Sequence, residues 1–323
     1  MKKILVFCLT LSLLAAAAVG NAAVTYKLAE NQPSDYPTTA GDLEFARLVK
    51  AGTNGRISID VQPSGIFGDE KSVIEALQDG SIAFARVNAQ PLSDVYAPLG
   101  VFSLPFIFAD EDQQWKVLDG PIGDEILDGM KSADLVGLAY YDSGSRNLYN
   151  TKKEIKTPED LKGMKIRVQQ SQMMVDMVEA LSATAVPLPY GEVYAALQSG
   201  EIDGAENNWP SYYSTSHFEV APYYSLNGLT MTPEVLIVSK SVWDDLSAED
   251  QKIVKEAARQ SEAAQRAAWK EYEDKSISAI QASGKNTFTE VADISAFQNA
   301  VAPLYEKYGA KYKDLIEKIR NTK

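Results

Sequence analysis

Arg167 has the clearest potential for ligand chemistry, because it stands between a predicted strand and a predicted helix. Met164 to Val168 forms a short apolar run typical of a buried strand, and Ser171 predicts the start of a helix that continues to about Leu181. The arginine therefore lies at the carboxyl end of a strand, the edge of an open α/β sheet where ligands bind. A guanidinium can bind a carboxylate through two parallel hydrogen bonds. Arg167 is either the anchor of an anion site or one half of a structural salt bridge.

Cysteine and histidine are too scarce to support most kinds of catalytic site. Cys8 is the only cysteine and lies in the N-terminal apolar segment, and His217 is the only histidine. Beyond that segment, disulfides, thiolate metal sites, cysteine nucleophiles and histidine-rich metal clusters are therefore excluded. We expect no cofactor, no metal and no catalytic residue. The alternative from another class is a secreted hydrolase or lyase with paired carboxylates such as Asp203 and Glu206, although nothing in the sequence separates their pKa values.

The N-terminal segment predicts that the protein is exported. Two lysines precede an apolar run from Ile4 to Val19, and small residues follow up to Ala22, which is the pattern of a signal peptide over residues 1–22. We expect cleavage near Ala22, with Ala23 as the rival position and an uncleaved anchor as the alternative. No second apolar run is long enough to span a bilayer.

The charge balance makes a local group of cations informative. Lys and Arg number 31 against 44 Asp and Glu, which gives a net charge of −13, or −15 once Lys2 and Lys3 are removed. Such an acidic chain argues against nucleic acids and anionic membrane surfaces as partners. A negatively charged protein that binds an anion must concentrate its cations locally, and arginines at strand ends would do this.

The elements that position Arg167 follow an alternating pattern of strands and helices. From Val24 to Val87 the strand and helix signals alternate, which predicts a parallel sheet with right-handed crossovers. A loop over 143–147 leads into a second alternating set, and a strand over 235–239 returns to the first lobe. A long helix from Ser247 to about Ser283 could reach across both lobes at about 1.5 Å per residue.

Three segments, in their order along the chain, resemble one protein family. They are GMKIRV (163–168), PYGEVYAALQSG (189–200) and IDGAENN (202–208), with support from 63–69, 102–106 and 144–146. Together they look like the periplasmic solute-binding subunit of a tripartite ATP-independent periplasmic (TRAP) transporter. The resemblance covers essentially the whole chain after the signal peptide.

The resemblance implies an α/β protein with the two-lobed periplasmic-binding-protein fold, a ligand cleft between the lobes and a long lobe-spanning helix. Lobe I would comprise 23–146 plus about 235–275, and lobe II 147–234 plus about 276–323. The implied protein is a periplasmic monomer that is not an enzyme. Its implied partners are a small organic acid and the membrane permease subunits of a TRAP transporter.

The resemblance also implies three anion-binding residues. The carboxylate-binding arginine of the family falls on Arg167, its supporting arginine on Arg146 and its ligand-bonding asparagine on Asn207. An interdomain salt bridge is the alternative role for Arg146, and Asn208 is the adjacent rival of Asn207. An asparagine amide would supply the neutral donor that a buried carboxylate needs between two cations.

The segments 206–212 and 31–38 look most like those of sugar-acid (uronate-type) binders. A sugar acid carries many hydroxyls, for which Arg86, Asn88, Gln169 and Glu234 are the predicted hydrogen-bonding residues. Trp209 or Tyr190 would either stack on a sugar face or pack in the core. Many family members carry a histidine where this chain has Gln32, so a four-carbon dicarboxylate, a sialic acid or an aromatic acid stays open as the ligand. A ligand-sensing partner of a membrane receptor is a further alternative for the same cleft.

Overall fold

Two β-sheets, each flanked by helices, form the two halves of the computed structural model, which describes residues 23–323. The predicted signal peptide lies outside these described residues, together with Cys8. Eleven strands occur in the described part of the chain: β1 (Val24–Ala29), β2 (Ile57–Gln62), β3 (Phe84–Asn88), β4 (Leu135–Tyr141), β5 (Arg146–Asn150), β6 (Lys165–Val168), β7 (Thr184–Pro187), β8 (Gly204–Asn207), β9 (Tyr223–Thr230), β10 (Glu234–Ser239) and β11 (Thr287–Glu290).

Helices fill most connections between these strands. From residue 23 onward they are α1 (Pro37–Gly52), α2 (Glu70–Gln78), α3 (Ala89–Leu92), α4 (Glu111–Leu118), α5 (Pro121–Gly129), α6 (Gln172–Ala180), α7 (Val193–Ser199), α8 (Trp209–Ser214), α9 (His217–Val220), α10 (Lys240–Asp245), α11 (Ala248–Ser283), α12 (Ser295–Val301), α13 (Pro303–Lys307) and α14 (Lys313–Asn321). Ser171 precedes α6 as predicted, but its hydroxyl makes no capping hydrogen bond.

The first sheet has the strand order β2-β1-β3-β10-β4, and we call the half built on it the first lobe. Strands β1, β2 and β3 are parallel, which confirms the prediction from the alternating pattern. Strand β10 is antiparallel to both β3 and β4. Strand β10 is antiparallel because it begins at the carboxyl edge of the sheet. Its first residue, Glu234, pairs with Asn88 at the carboxyl end of β3. A strand that enters at the carboxyl edge must run opposite to its neighbours.

The second sheet repeats this arrangement with the order β11-β9-β5-β8-β6-β7, and we call its half the second lobe. Strands β6, β7 and β8 are parallel, whereas β5 runs antiparallel to β8 and β9. Strand β5 also enters at a carboxyl edge, because Asn147 pairs with Asn207 at the end of β8. The carboxyl ends of both sheets, and the starts of β5 and β10, therefore lie where the lobes face each other.

Helix α11 spans both lobes. It begins after Ser247, whose hydroxyl accepts a hydrogen bond from Asp250 N at 3.1 Å, and it ends at Gly284, which has a φ of 64°. Its buried side chains include Val254 in the core of the first lobe and Ile280 in the core of the second. One continuous helix therefore packs against both halves.

The C-terminal helices pack against different cores. Helix α12 packs Phe297 into the core of the second lobe. Helix α14 instead contributes Ile316 and Ile319 to the core that surrounds the first sheet. Gln113 Nε2 of α4 also donates to the carbonyl oxygen of Thr322 at 2.9 Å.

Candidate ligand-binding site

The carboxyl edges of the two sheets enclose a polar cavity. This inner cavity, of about 30 Å³, is lined by Asn31, Gln32, Glu70, Arg86, Asn88, Arg146, Arg167, Gln169, Tyr190, Asn207, Asn208, Ser211 and Glu234. It continues into an outer cavity of about 250 Å³ that shares five of these residues, namely Asn31, Glu70, Arg167, Gln169 and Tyr190. Seven of the eight predicted site residues line the inner cavity, and Trp209 is the exception.

Arg167 is a buried cation without a carboxylate partner. Its side chain lies at the end of β6, the residue is 3 % exposed, and its Nε and Nη2 donate to Leu188 O at 2.9 and 2.7 Å. Within residues 23–323 no Asp or Glu forms a salt bridge with it. Burial lowers the pKa of Arg167, and the nearby Glu206 opposes this shift. An arginine nevertheless stays protonated, so the cavity holds a positive charge for an incoming anion.

Arg146 is neutralised within the second lobe. It begins β5, where the sequence predicted a crossover loop, and its Nε and Nη2 donate to the carboxylate of Glu206 at 2.5 and 3.0 Å. Burial alone would lower the pKa of Arg146, but Glu206 raises it. Both partners belong to the second sheet, so this salt bridge joins two neighbouring strands of that sheet. Arg146 positions its neighbours and adds no net charge to the cleft.

Asn207 is held with its amide group available to a ligand. Its Oδ1 accepts from Arg146 Nη1 at 3.0 Å and from Asn208 N at 2.9 Å. Because both bonds occupy the oxygen, the NH₂ group points away from them. In the adjacent Asn208, Oδ1 accepts from Ser211 N and Nδ2 donates one hydrogen bond to Ser143 O, both at 2.8 Å. Among the described residues no hydrogen bond uses the Asn207 NH₂ group, whereas the Asn208 NH₂ group already has one acceptor.

Arg86 is surrounded by carboxylates of the first lobe. It forms a two-bond ion pair with Glu30, and its Nη1 donates to Glu234 Oε2 at 2.7 Å. The other oxygen of Glu234 accepts from Asn88 Nδ2 at 2.9 Å. Arg86 is therefore neutralised, and Asn88 and Glu234 are held in place by it. These residues form a polar wall of the cavity, and the positive charge of Arg86 in this wall is already paired.

Glu70 is a cavity residue that the sequence analysis missed. It is the first residue of α2, and its Oε1 accepts from Asn88 N at 3.0 Å. Burial and the neighbouring Glu234 raise the pKa of Glu70 to about 8. Near neutral pH this carboxyl group therefore keeps its proton and can donate a hydrogen bond. The family-like segment 63–69 stops one residue before it, and this adjacency was the available signal.

Gln169, Tyr190 and Trp209 occupy different surroundings. Gln169 follows β6, is 8 % exposed, and its buried Oε1 has no hydrogen-bond partner in the described part of the chain. The Tyr190 hydroxyl donates to Gln32 Oε1 of the first lobe at 3.2 Å. Trp209 instead stacks on Tyr224 with ring centroids 4.1 Å apart, which is the packing role left open by the sequence.

Asp203 and Glu206, the two carboxylates that a hydrolase or lyase would use, form structural hydrogen bonds and salt bridges. Asp203 accepts from Lys165 N at 2.8 Å and pairs with Lys152 at 2.7 Å, and Glu206 is paired with Arg146. His217 is buried, and burial lowers its pKa to about 3. Its Nδ1 lies 2.7 Å from the Tyr149 hydroxyl. Among residues 23–323 there is no cluster of three acidic, histidine or cysteine residues suited to a metal, and no helix long and apolar enough to cross a membrane.

The fold and this cleft together define a two-lobed solute-binding protein. Residues 28–311 match the family model described as bacterial extracellular solute-binding protein, family 7. A solute-binding protein of Chromohalobacter salexigens is 38 % identical over 283 residues, which cover 88 % of this chain and 84 % of that protein. The 2,3-diketo-L-gulonate-binding periplasmic protein of Escherichia coli is 28 % identical over 258 residues, which cover 80 % of this chain and 78 % of that protein.

Solved structures of TRAP periplasmic solute-binding proteins share the whole fold. The protein from a Bradyrhizobium species, in complex with α/β-D-galacturonate, matches with a TM-score of 0.90 and 44 % identity over 93 % of this chain and 100 % of that one. The protein from Chromohalobacter salexigens with bound D-glucuronate matches with a TM-score of 0.89 and 36 % identity over 92 % of this chain and 100 % of that one.

This chain belongs to the bacterial extracellular solute-binding protein family 7, whose members are the solute-binding subunits of TRAP transporters. The family resemblance and the two-lobed fold predicted from the sequence are thereby confirmed. The chain is a solute-binding protein and not an enzyme.

Proposed function

We propose that this protein captures a hexuronate, such as galacturonate or glucuronate, in the periplasm and delivers it to the membrane permease of a TRAP transporter. The observation that carries the proposal is Arg167, a buried cation in a cleft between two lobes that has no carboxylate partner among the described residues. The galacturonate and glucuronate bound to the similar solved structures support the choice of ligand.

The ligand carboxylate would bind Arg167 and the free amide of Asn207. The sugar hydroxyls would then meet the polar wall of the first lobe, where Glu70 can donate and Glu234 can accept hydrogen bonds. Gln169 would add its unpartnered Oε1 as an acceptor. The arrangement suits one negative charge and several hydroxyls.

A four-carbon dicarboxylate fits this charge pattern less well. Arg86 and Arg146 are already paired with carboxylates of the protein, so Arg167 is left for a single anionic group. A second ligand carboxylate would approach the carboxylate of Glu234 without a free cation nearby. Like charges in a buried site repel strongly because the local dielectric constant is low.

Thermal unfolding of residues 23–323 with uronates, aldonates and dicarboxylates tests the proposal. A ligand at a hundred times its Kd stabilises the folded state by about 2.7 kcal/mol, so galacturonate or glucuronate should raise Tm by several degrees. Arg167→Ala should abolish this shift. Arg47→Ala, which removes an exposed arginine on α1, is the matched control and should keep it. An absence of any shift with all uronates would refute the proposed ligand.

Mass spectrometry of the ligand after incubation provides an independent check. A solute-binding protein should return the uronate unchanged, whereas a hydrolase or lyase would convert it. Turnover that disappears in Glu206→Gln would revive the carboxylate-based enzyme.

We also propose export with cleavage near Ala22, a monomeric state, and lobe boundaries near 146 and 234. The boundaries are supported by the passage from β4 in the first sheet to β5 in the second, and by the return from β9 to β10. The second lobe would add about 276–309, and α14 would belong to the first.

Intact mass and size-exclusion chromatography of the exported protein check the cleavage site and the monomer. Co-purification with the permease subunits checks delivery.

A further inference from the structure

The cleft does not end at the outer cavity. A third space of about 380 Å³, which we call the rim cavity, shares Pro91 and Gln170 with the outer cavity. Pro91 belongs to the first lobe and Gln170 to the second, so the rim cavity lies between the lobes like the other two. The three cavities therefore lie side by side in one groove, and the rim cavity is the one that Arg167 does not line.

The volumes indicate how much ligand this groove can hold. A cavity of about 150 Å³ holds one benzene molecule, or about 25 Å³ for each non-hydrogen atom. A hexuronate, with about a dozen such atoms, then needs about 300 Å³. The inner and outer cavities, at about 30 and 250 Å³, together nearly match one hexuronate. The rim cavity is therefore large enough for a second sugar ring of similar size.

The lining of the rim cavity suits a sugar. Ile74 and Val175 contribute apolar side chains from opposite lobes, which can cover the C–H face of a pyranose ring. Ser171, which lines the same cavity and is 3 % exposed, has a buried hydroxyl without a hydrogen-bond partner among the described residues. A buried hydroxyl without a partner is unfavourable, and a sugar hydroxyl would supply the missing bond.

The charges around the rim cavity favour a neutral ring. Lys71 is the only cation in its lining, and Glu75 and Asp94 contribute two carboxylates. A second uronate would therefore meet an excess of negative charge, whereas a neutral sugar can donate its hydroxyl hydrogens to these carboxylates. The acidic end of a longer ligand would consequently lie at Arg167 and its neutral end at the rim.

We propose that the rim cavity is a second sugar subsite, and that the protein binds a disaccharide in which a uronate is linked to a neutral sugar. This inference rests on the proposed function, because the uronate ring must first bind at Arg167.

Isothermal titration calorimetry with glucuronate and with glucuronic acid linked to xylose tests the inference. We expect the disaccharide to bind at least tenfold more tightly than glucuronate. Val95→Trp, at a 40 % exposed position in the rim cavity, should remove this advantage and leave glucuronate binding unchanged. Leu43→Trp, at a 53 % exposed position on α1 that lines none of the three cavities, is the matched control and should retain both affinities.

A second variant avoids the bulk of tryptophan. Ser171→Ala should weaken the disaccharide alone by about threefold to tenfold, since it removes one hydrogen bond. Equal or weaker binding of the disaccharide than of glucuronate, or equal losses for both ligands in these variants, would overturn the second subsite. Failure of glucuronate, galacturonate and the disaccharide all to bind would instead refute the proposed function.

Discussion

Three arginines of the cleft are equally buried but differ in what balances their charge. Arg86 and Arg146 each pair with carboxylates of their own lobe, whereas the only acceptor of Arg167 within residues 23–323 is a backbone carbonyl oxygen. An uncompensated charge in a low-dielectric interior is unfavourable. Burial of Arg167 therefore has an energetic cost that a bound anion would relieve, and removal of each arginine should have a different consequence.

Arg146→Met should destabilise the protein by about 3–5 kcal/mol, because it leaves the carboxylate of Glu206 buried without its partner. Arg167→Met should leave the free energy of unfolding unchanged or raise it, because it replaces an uncompensated cation with an apolar group of similar length. Urea denaturation of both variants without ligand measures the difference. A larger loss for Arg167→Met than for Arg146→Met would contradict this account.

The protonation of Glu70 should make stability depend on pH. Its pKa is raised from 4.5 to about 8 in the folded protein. The folded state therefore binds the proton more tightly than the unfolded state between these values, and the free energy of unfolding falls as pH rises from about 4.5 to about 8. Glutamine at position 70 cannot titrate. The free energy of unfolding of Glu70→Gln should therefore fall less over this pH range than that of the unsubstituted protein, by about 1 kcal/mol or more. Denaturation at pH 5 and pH 8 checks this, and parallel profiles would argue against a raised pKa.

At the scale of elements, helix α11 binds the backbone of Asp142, where the chain begins to cross to the second lobe. Gln265, which is fully buried, accepts from Asp142 N at 2.7 Å and donates to Asp142 O at 3.0 Å. These two bonds continue the pairing of β4 just beyond its end, immediately before the chain leaves the first sheet. The side chain of Gln265 thereby takes the place of a neighbouring strand as the hydrogen-bonding partner of Asp142.

Gln265→Ala should destabilise the protein by about 2–4 kcal/mol, because it leaves a buried N–H and a buried carbonyl of Asp142 without partners. Gln281→Ala, at an exposed position of the same helix, should change stability by about 0.5 kcal/mol or less. Chemical denaturation of the two variants compares them. Similar losses at both positions would show that helix propensity, and not the bond to Asp142, decides the effect.

At the scale of the whole molecule, the lobes contact each other through hydroxyl groups around the cleft. The Tyr36 hydroxyl of the first lobe lies 2.8 Å from Ser211 Oγ of the second, and Tyr190 of the second lobe bonds to Gln32 of the first. Tyr36 is 1 % exposed and lines none of the three cavities. The hydrogen bond between Tyr36 and Ser211 therefore stabilises the contact between the lobes and does not involve the ligand directly.

Tyr36→Phe should weaken uronate binding by about threefold to tenfold, the effect of one hydrogen bond of about 0.5–1.5 kcal/mol. The loss should occur mainly as faster ligand dissociation, because the bond holds the lobes together around the ligand. Stopped-flow measurement of the dissociation rate checks this. An unchanged rate would mean that closure does not depend on the Tyr36–Ser211 contact.

The sequence by itself determined the repeated strand and helix pattern and the place of Arg167 at a strand end, because local periodicity and capping signals act over short distances. It did not reveal β9, whose Asn227-Gly228 pair is typical of a turn; the strand forms because β5 and β11 pair with it on both sides. The packing of Trp209 on Tyr224 likewise depends on neighbours from other elements.

Only the tertiary structure decided which arginines pair with carboxylates of the protein. Arg146 and Glu206 are 60 residues apart, and Arg86 and Glu234 are 148 apart, so no local pattern pairs them. Crossover strands that enter at the carboxyl edges bring these charges together and leave Arg167 without a carboxylate partner in the described part of the chain. The sequence therefore determined that arginines stand at strand ends, and long-range charge pairing decided which of them keeps an unbalanced charge.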